Sequence, residues 1–200
     1  MAIRSLKNGT FSRSLLIGND AYIPGDFYSI ATVTVGSGGA SSISFSSIPS
    51  TYTHLQIRGI SKTNRGYSGN IVDGFYVSLN STGATKYHQI NGFANGSVGA
   101  NATEPIYTIQ NGSGTTAIAT EVFGTQVIDI LDYTNTNKNK VTRALWGADG
   151  GANTWSGAGM VGMNSVLHTV TSAITSISFT PYLGSLFLQN TKFALYGIKG

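Results

Sequence analysis

The chain has 200 residues, 40% of them hydrophobic, yet only 10% are charged and the formal net charge is +4. That length supports one sizeable core and sets a single domain as the expectation. A surface in which Ser, Thr, Asn and Gly replace most charges, against about 25% charged residues in an average soluble chain, suits packing on neighbours. Cysteine is absent, which excludes disulfides, thiolate metal sites and Cys nucleophiles.

Residues 1–27 mix isolated apolar side chains with Arg4, Lys7 and Arg13, hold no acid before Asp20 and keep neither helical nor strand period. They read as an extended N-terminal arm ahead of a β-sandwich domain over residues 28–200. Residues 28–35 alternate β-branched with small polar residues, and after the break at residues 36–39 the pattern resumes with Ile43, Phe45 and Ile48, so the two segments read as a hairpin ended by Pro49. Residues 54–60 set Leu55, Ile57 and Ile60 inward and His54, Gln56 and Arg58 outward.

A Gly-rich loop leads to a strand at residues 75–80, and a turn at residues 80–83 leads to another at 87–93. The stretch 94–114 is poor in hydrophobic pattern apart from residues 105–109 and reads as a long excursion. Residues 117–123 and 126–133 follow as strands, the second apolar enough to be packed on both faces. A charged turn at 134–140 precedes its partner strand at 141–146. Six glycines between 147 and 162 read as loop or irregular strand. Strands at 163–170 and 174–179 and a closing core strand through Phe193, Leu195, Tyr196 and Ile198 complete the chain. About ten strands with no helical pattern predict an all-β, antiparallel two-sheet β-sandwich, jelly-roll-like in topology. Its edge strands, carrying so little charge, are a hazard that neighbouring copies would cover, which points to a homo-oligomer.

Candidate chemistry is sparse. His54, His88 and His168 are each solitary, with no second ligand at metal spacing, so the reading is no metal and no other cofactor. Asp129 and Asp132 are an odd number of residues apart, which puts them on opposite faces of a regular strand, and most other acids lie in or beside loops. There is no Gly-x-Ser-x-Gly elbow and no glycine loop leading into a helix. The bases are scattered, which argues against nucleic acid. No apolar run is long enough to span a membrane, and no secretory signal pattern begins the chain. Among the aromatics, Trp146 and Tyr76 read as core fillers in strands. Tyr67 and Trp155, with Asn153 beside the latter, sit in glycine-rich loops and are the candidates for contact with a host-surface glycan.

Three segments also carry a resemblance: Ser46-Ser-Ile-Pro-Ser-Thr-Tyr-Thr-His-Leu-Gln-Ile-Arg58, Ser176-Ile-Ser-Phe179 and the closing Phe-Ala-Leu-Tyr-Gly-Ile-Lys-Gly. Together they resemble virion structural proteins of tailed bacteriophages, of a tail-fibre-like or decoration type frequent in marine and cyanobacterial phages. The resemblance spans nearly the whole chain, although its motifs are short and name no reaction. It implies a non-enzymatic virion protein on the particle exterior, first a tail-fibre or appendage subunit and alternatively a head decoration protein. A carbohydrate-binding module is the reading from another class. The implied partners are copies of itself, a trimer being one symmetry that fits, and other virion proteins. The implied location is the virion, assembled in the host cytoplasm. In the arm, Ile3, Leu6, Phe11, Arg13, Leu15 and Leu16 are the candidates for docking on another virion subunit. The plainer alternative is that the arm folds back on its own sandwich or is partly disordered.

Overall fold

The computed structural model describes residues 15–17, 20–22, 27–67, 72–84, 86–93, 98–101, 105–111, 121–149 and 159–199, and every regular element among them is a strand. In chain order these are β1 (Leu15–Ile17), β2 (Asp20–Tyr22), β3 (Phe27–Thr34), β4 (Ile43–Phe45), β5 (His54–Thr63), β6 (Val72–Leu79), β7 (Thr82–Gly83) and β8 (Lys86–Phe93). There follow β9 (Val98–Asn101), β10 (Ile106–Gln110), β11 (Gly124–Ile130), β12 (Lys140–Asp149), β13 (Gly159–His168), β14 (Ile177–Pro181) and β15 (Lys192–Ile198). β1 and β2 pair only with each other.

The remaining strands form the expected sandwich of two sheets. The large sheet is antiparallel throughout, in the order β9-β8-β13-β12-β11-β5-β15-β3. The small sheet runs β4-β14-β6-β10, with β7 added to β6. β5 belongs to both. It lies between β11 and β15 for most of its length, then pairs parallel with β10 at Lys62 and Thr63.

The core between the sheets is built on rings. Phe179 of the small sheet stacks on Phe193 of the large one at 4.6 Å and 6°, and Phe75 meets Phe179, Phe187 and Phe193 edge-on. All four are fully buried. The close approach needs glycine beneath the rings: a Cβ at Gly59 would meet Phe193 at 2.5 Å, and one at Gly162 would meet Trp146 at 2.3 Å.

The inner face also buries amides, and these close the edge of β10. Gly74, opposite Tyr107, turns its carbonyl to the Tyr182 N–H, so Pro105 and Tyr107 direct theirs away from β6. The side chains of Gln126 (3.2 Å to Tyr107 O) and Asn164 (3.2 Å to Pro105 O) reach across from the large sheet and donate to them. Asn164 Oδ1 in turn accepts Trp146 Nε1–H at 2.8 Å. An edge that would otherwise be an unpaired template is sealed by side chains.

Several elements differ from the sequence reading. β3 and β4 are not a hairpin: β3 pairs with β15 and β4 with β14, so residues 36–39 carry the chain from one sheet to the other. The alternation in β3 shifts phase at Ile30, the extra residue where the register with β15 slips between Leu195 and Tyr196. Phe27 belongs to β3, opposite Ile198, rather than to the arm. Ile60 points outward, because strict alternation from Leu55 and Ile57 turns Gly59 and Ser61 inward instead. β11 is central in pairing but packs on one face only, with Thr125 exposed and Val127 and Asp129 half-buried.

β12 and β13 run into the glycine-rich stretch as far as Asp149 and back from Gly159, and β9 was not anticipated. Of the strand expected at 117–123, residues 117–120 lie outside the described residues, and 121–123 are turn and coil. The turn at 80–83 is as expected: Asn80 and Ser81 both take positive φ (50° and 62°), the two-residue hairpin geometry that joins β6 to β7.

The turn after β11 is held by a cation. Lys140 is 1% exposed, and its ammonium donates to the carbonyls of Asn135, Lys138 and Thr171, while burial pushes its pKa down. Lys140→Met keeps the length and loses all three bonds. It is expected to lower the unfolding free energy by about 2 kcal/mol, read by chemical denaturation, because carbonyls that faced a charged donor are left bare.

Candidate functional site: the outer face of the large sheet

Strict alternation places one parity of β8, β11, β12 and β13 inside and the other outside. In β12, Thr142, Ala144, Trp146 and Ala148 are buried while Val141, Arg143, Leu145 and Asp149 are exposed. The outward residues are not all polar. Cross-strand register lines up Val127, Leu145, Met163 and Ile90 in one row. Of these Ile90 is 62% exposed, Leu145 57% and Met163 45%, and Val161 in the adjoining row is 56% exposed. A lone exposed apolar residue needs no explanation, but a registered row of them across adjacent strands does.

The adjoining row is Thr125, Gly147, Val161 and Gly92, and shallow depressions lie over Thr125, Gly147 and Val161. A third depression lies between Leu131, Val141 and Met163. On the other side of the apolar row runs a polar chain. Asp129 accepts from Arg143 at 3.2 Å and from Gln56 at 2.8 Å, one bond to each carboxylate oxygen, and Gln56 Oε1 accepts Arg58 Nε–H at 2.9 Å. The Arg58 guanidinium covers the rings of Phe27 and Tyr196 at 5.3 and 5.6 Å. Arg58 is thereby held by Gln56 and two rings, and Arg143 by Asp129.

The ionisable groups named from the sequence are dispersed. His88 lies on the outer face opposite Ser165. His54 Nδ1 accepts the Asp132 N–H at 3.0 Å, which leaves its proton on Nε2, so its 3.5 Å approach to the Asp132 carboxylate is not an ion pair. His168 is fully buried, and burial drives its pKa down to about 4. Asp132 sits in the turn after β11, where the Lys138 hydrogen bond and charge hold its carboxyl below the usual range. No group of three His, Asp or Glu gathers at one place among the described residues.

The glycan candidates are not brought together. Tyr67 is exposed with the Arg65 guanidinium stacked on its ring at 4.8 Å, whereas Asn153 and Trp155 lie outside the described residues. Trp146 is core, as expected. Of the arm candidates, Ile3, Leu6, Phe11 and Arg13 lie outside the described residues. Leu15 and Leu16 are in β1, opposite Tyr22 and Ala21.

Protein-family models, curated proteins and solved structures offer no match to this chain. The likeness to virion proteins rests on the sequence segments alone, and the candidate site on geometry. The sequence reading missed the outer row, although its signal was present: β12 and β13 carry apolar residues at both parities, with Leu145 beside Trp146 and Val161 beside Met160. An alternating strand with one wet face would carry them at one parity only.

Proposed function

We propose that this protein is a non-enzymatic structural subunit on the exterior of a tailed-phage particle, in the first instance of a fibre or appendage, which holds its place by packing on neighbouring subunits. The observation that carries this reading is the registered row Leu145, Met163 and Ile90, left open to solvent on the outer face of the large sheet. A protein with 10% charged residues resists self-association poorly, so an uncovered apolar row on it is best explained by something that covers it. The likeness of three sequence segments to virion structural proteins supports the particle as the setting.

The mechanism is burial. Each apolar area removed from water between subunits contributes about 25 cal/mol per Å² before the losses of association are met. The arm supplies the second attachment in this reading. Deleting residues 1–26 is expected to leave a folded chain, with an unchanged thermal midpoint, that is missing from purified particles probed by immunoblot. Incorporation at normal levels would reject the arm as anchor, and absence of the full chain from every particle would reject the reading.

A further inference from the structure

Glycines inside the strands fall into two groups. Gly59, Gly162 and Gly197 face inward beneath the rings of Phe193, Trp146 and Tyr52, and Gly74 lies against the Pro105 ring; at each a Cβ would come within 2.5 Å of ring atoms. Gly92 and Gly147 face outward, and nothing among the described residues requires them. Among those residues a Cβ at Gly92 would meet nothing nearer than Val161 at 3.9 Å, and one at Gly147 nothing nearer than Thr125 Oγ1 at 3.5 Å. Glycine in a strand interior weakens it, and where its own fold leaves room for a side chain it marks a close approach by something else.

The positions of these glycines name what approaches. Gly147 lies two residues beyond Leu145 on β12, and Gly92 two residues beyond Ile90 on β8. On β12 and β8 low positions therefore sit beside high ones in two registered rows, whereas on β13 between them Met163 and Val161 are both high. Along β12 the outward residues on either side of this pair are Arg143 and Asp149, of opposite charge. We propose that this face docks on the same face of a second copy, about a two-fold axis that lies in the interface and runs across the strands between the two rows. That rotation reverses the strand direction. It sets Leu145 over the partner's Gly147, Ile90 over the partner's Gly92, Met163 against the partner's Val161 and Arg143 opposite the partner's Asp149, each contact occurring twice.

Self-complementarity selects a second copy over an unrelated partner. Both charge signs lie on one strand, equally spaced about the axis, and on β12 and β8 the knobs and hollows alternate with the same spacing. A partner of one sign, such as nucleic acid or an anionic surface, is not selected by such a face. The area is also sufficient. β5, β11, β12, β13 and β8 at about 4.8 Å per strand span about 24 Å, and the stretch from Arg143 to Asp149 at about 3.4 Å per residue spans about 20 Å. This gives about 500 Å² in plan for each copy and about 1,000 Å² in total, the floor for a specific interface. Two such sheets pack about 10 Å apart, as in a sandwich core.

The test is sedimentation velocity on the full chain from about 1 to about 100 μM, which brackets a dissociation constant of about 10 μM. The unaltered chain is expected to shift from monomer to dimer. Gly147→Leu fills the hollow at a position with room for it, so its thermal midpoint should hold while the dissociation constant rises about 100-fold or more. D149R should weaken the dimer more than D149N does, since it sets two cations across the axis while the Arg143–Asp129 bond within each copy stays intact. A chain monomeric throughout the range, a Gly147→Leu variant that dimerises normally, or a D149R variant no weaker than D149N would overturn the proposal. The proposal deepens the assembly reading above, but the two fail separately. A dimer in solution with no place in any particle removes only the particle. Particles that accept Gly147→Leu at normal levels, from a chain that never dimerises, remove only this contact.

Discussion

Phe193→Ala is expected to lower the unfolding free energy by about 3–5 kcal/mol, the largest loss of any single substitution considered for this chain. Phe193 has no exposed surface and its ring stacks on Phe179 at 4.6 Å, with Phe75 and Phe187 edge-on at 5.5 and 6.0 Å. It also fills the hollow over Gly59 on the neighbouring strand. Truncation therefore opens a void bounded by both sheets. Because β5 and β15 are anchored by pairing on both sides, the backbone can collapse into that void only slightly. Urea denaturation reads the effect as a lower midpoint with an unchanged slope. A loss under about 1 kcal/mol would mean that the ring cluster is not the joint between the sheets.

The second large effect is acid lability through His168. Its imidazole is fully buried, with Nε2 3.3 Å from Thr142 Oγ1 and Nδ1 without a partner, and its cross-strand neighbour is the buried Lys140. Burial lowers its pKa from 6.5 to about 4, so the folded chain keeps the ring neutral while the unfolded chain protonates it below about pH 6.5. A base whose folded pKa is depressed adds stability that is complete above its unfolded pKa and is lost as the pH falls towards the folded one. The expected loss between pH 7 and pH 4 is about 3 kcal/mol, because the ring protonates near pH 6.5 in the unfolded chain and only near pH 4 in the folded one, at about 1.4 kcal/mol per pH unit between. His168→Leu should flatten the denaturation midpoint over that window. Asp132, held down by Lys138, acts lower, below its ordinary value of 3.8, and does not confuse the comparison. Equal pH slopes for the two proteins would contradict the assignment.

Strand existence was legible in this sequence wherever one parity was apolar and the other polar. β5 shows it, with Leu55 and Ile57 against His54, Gln56 and Arg58, and so does the closing strand around Phe193 and Leu195. Pairing was less legible, because the partners of β3 and β4 are β15 and β14, far away in sequence, and local turn chemistry at residues 36–39 carries no information about them. The glycine-rich ends of β12 and β13 read as loop because propensity counts the cost of Gly162 and not the Trp146 ring that requires it. The candidate surface was hidden for a related reason. β11 looks apolar enough to be covered on both faces, and only the structure separates Ile128 and Ile130, which are buried, from its half-buried outer residues Val127 and Asp129. Likewise the meaning of Gly92 and Gly147 rests on the space that the described residues leave above them, which no sequence pattern records.

The most direct test of the account is a reconstruction of the intact particle at a resolution that places this chain. The account predicts that the outer face of β11, β12 and β13 is buried against a neighbouring subunit, with Leu145, Met163 and Ile90 out of contact with water. A particle in which that face is turned to solvent, or which lacks the chain altogether, would contradict it.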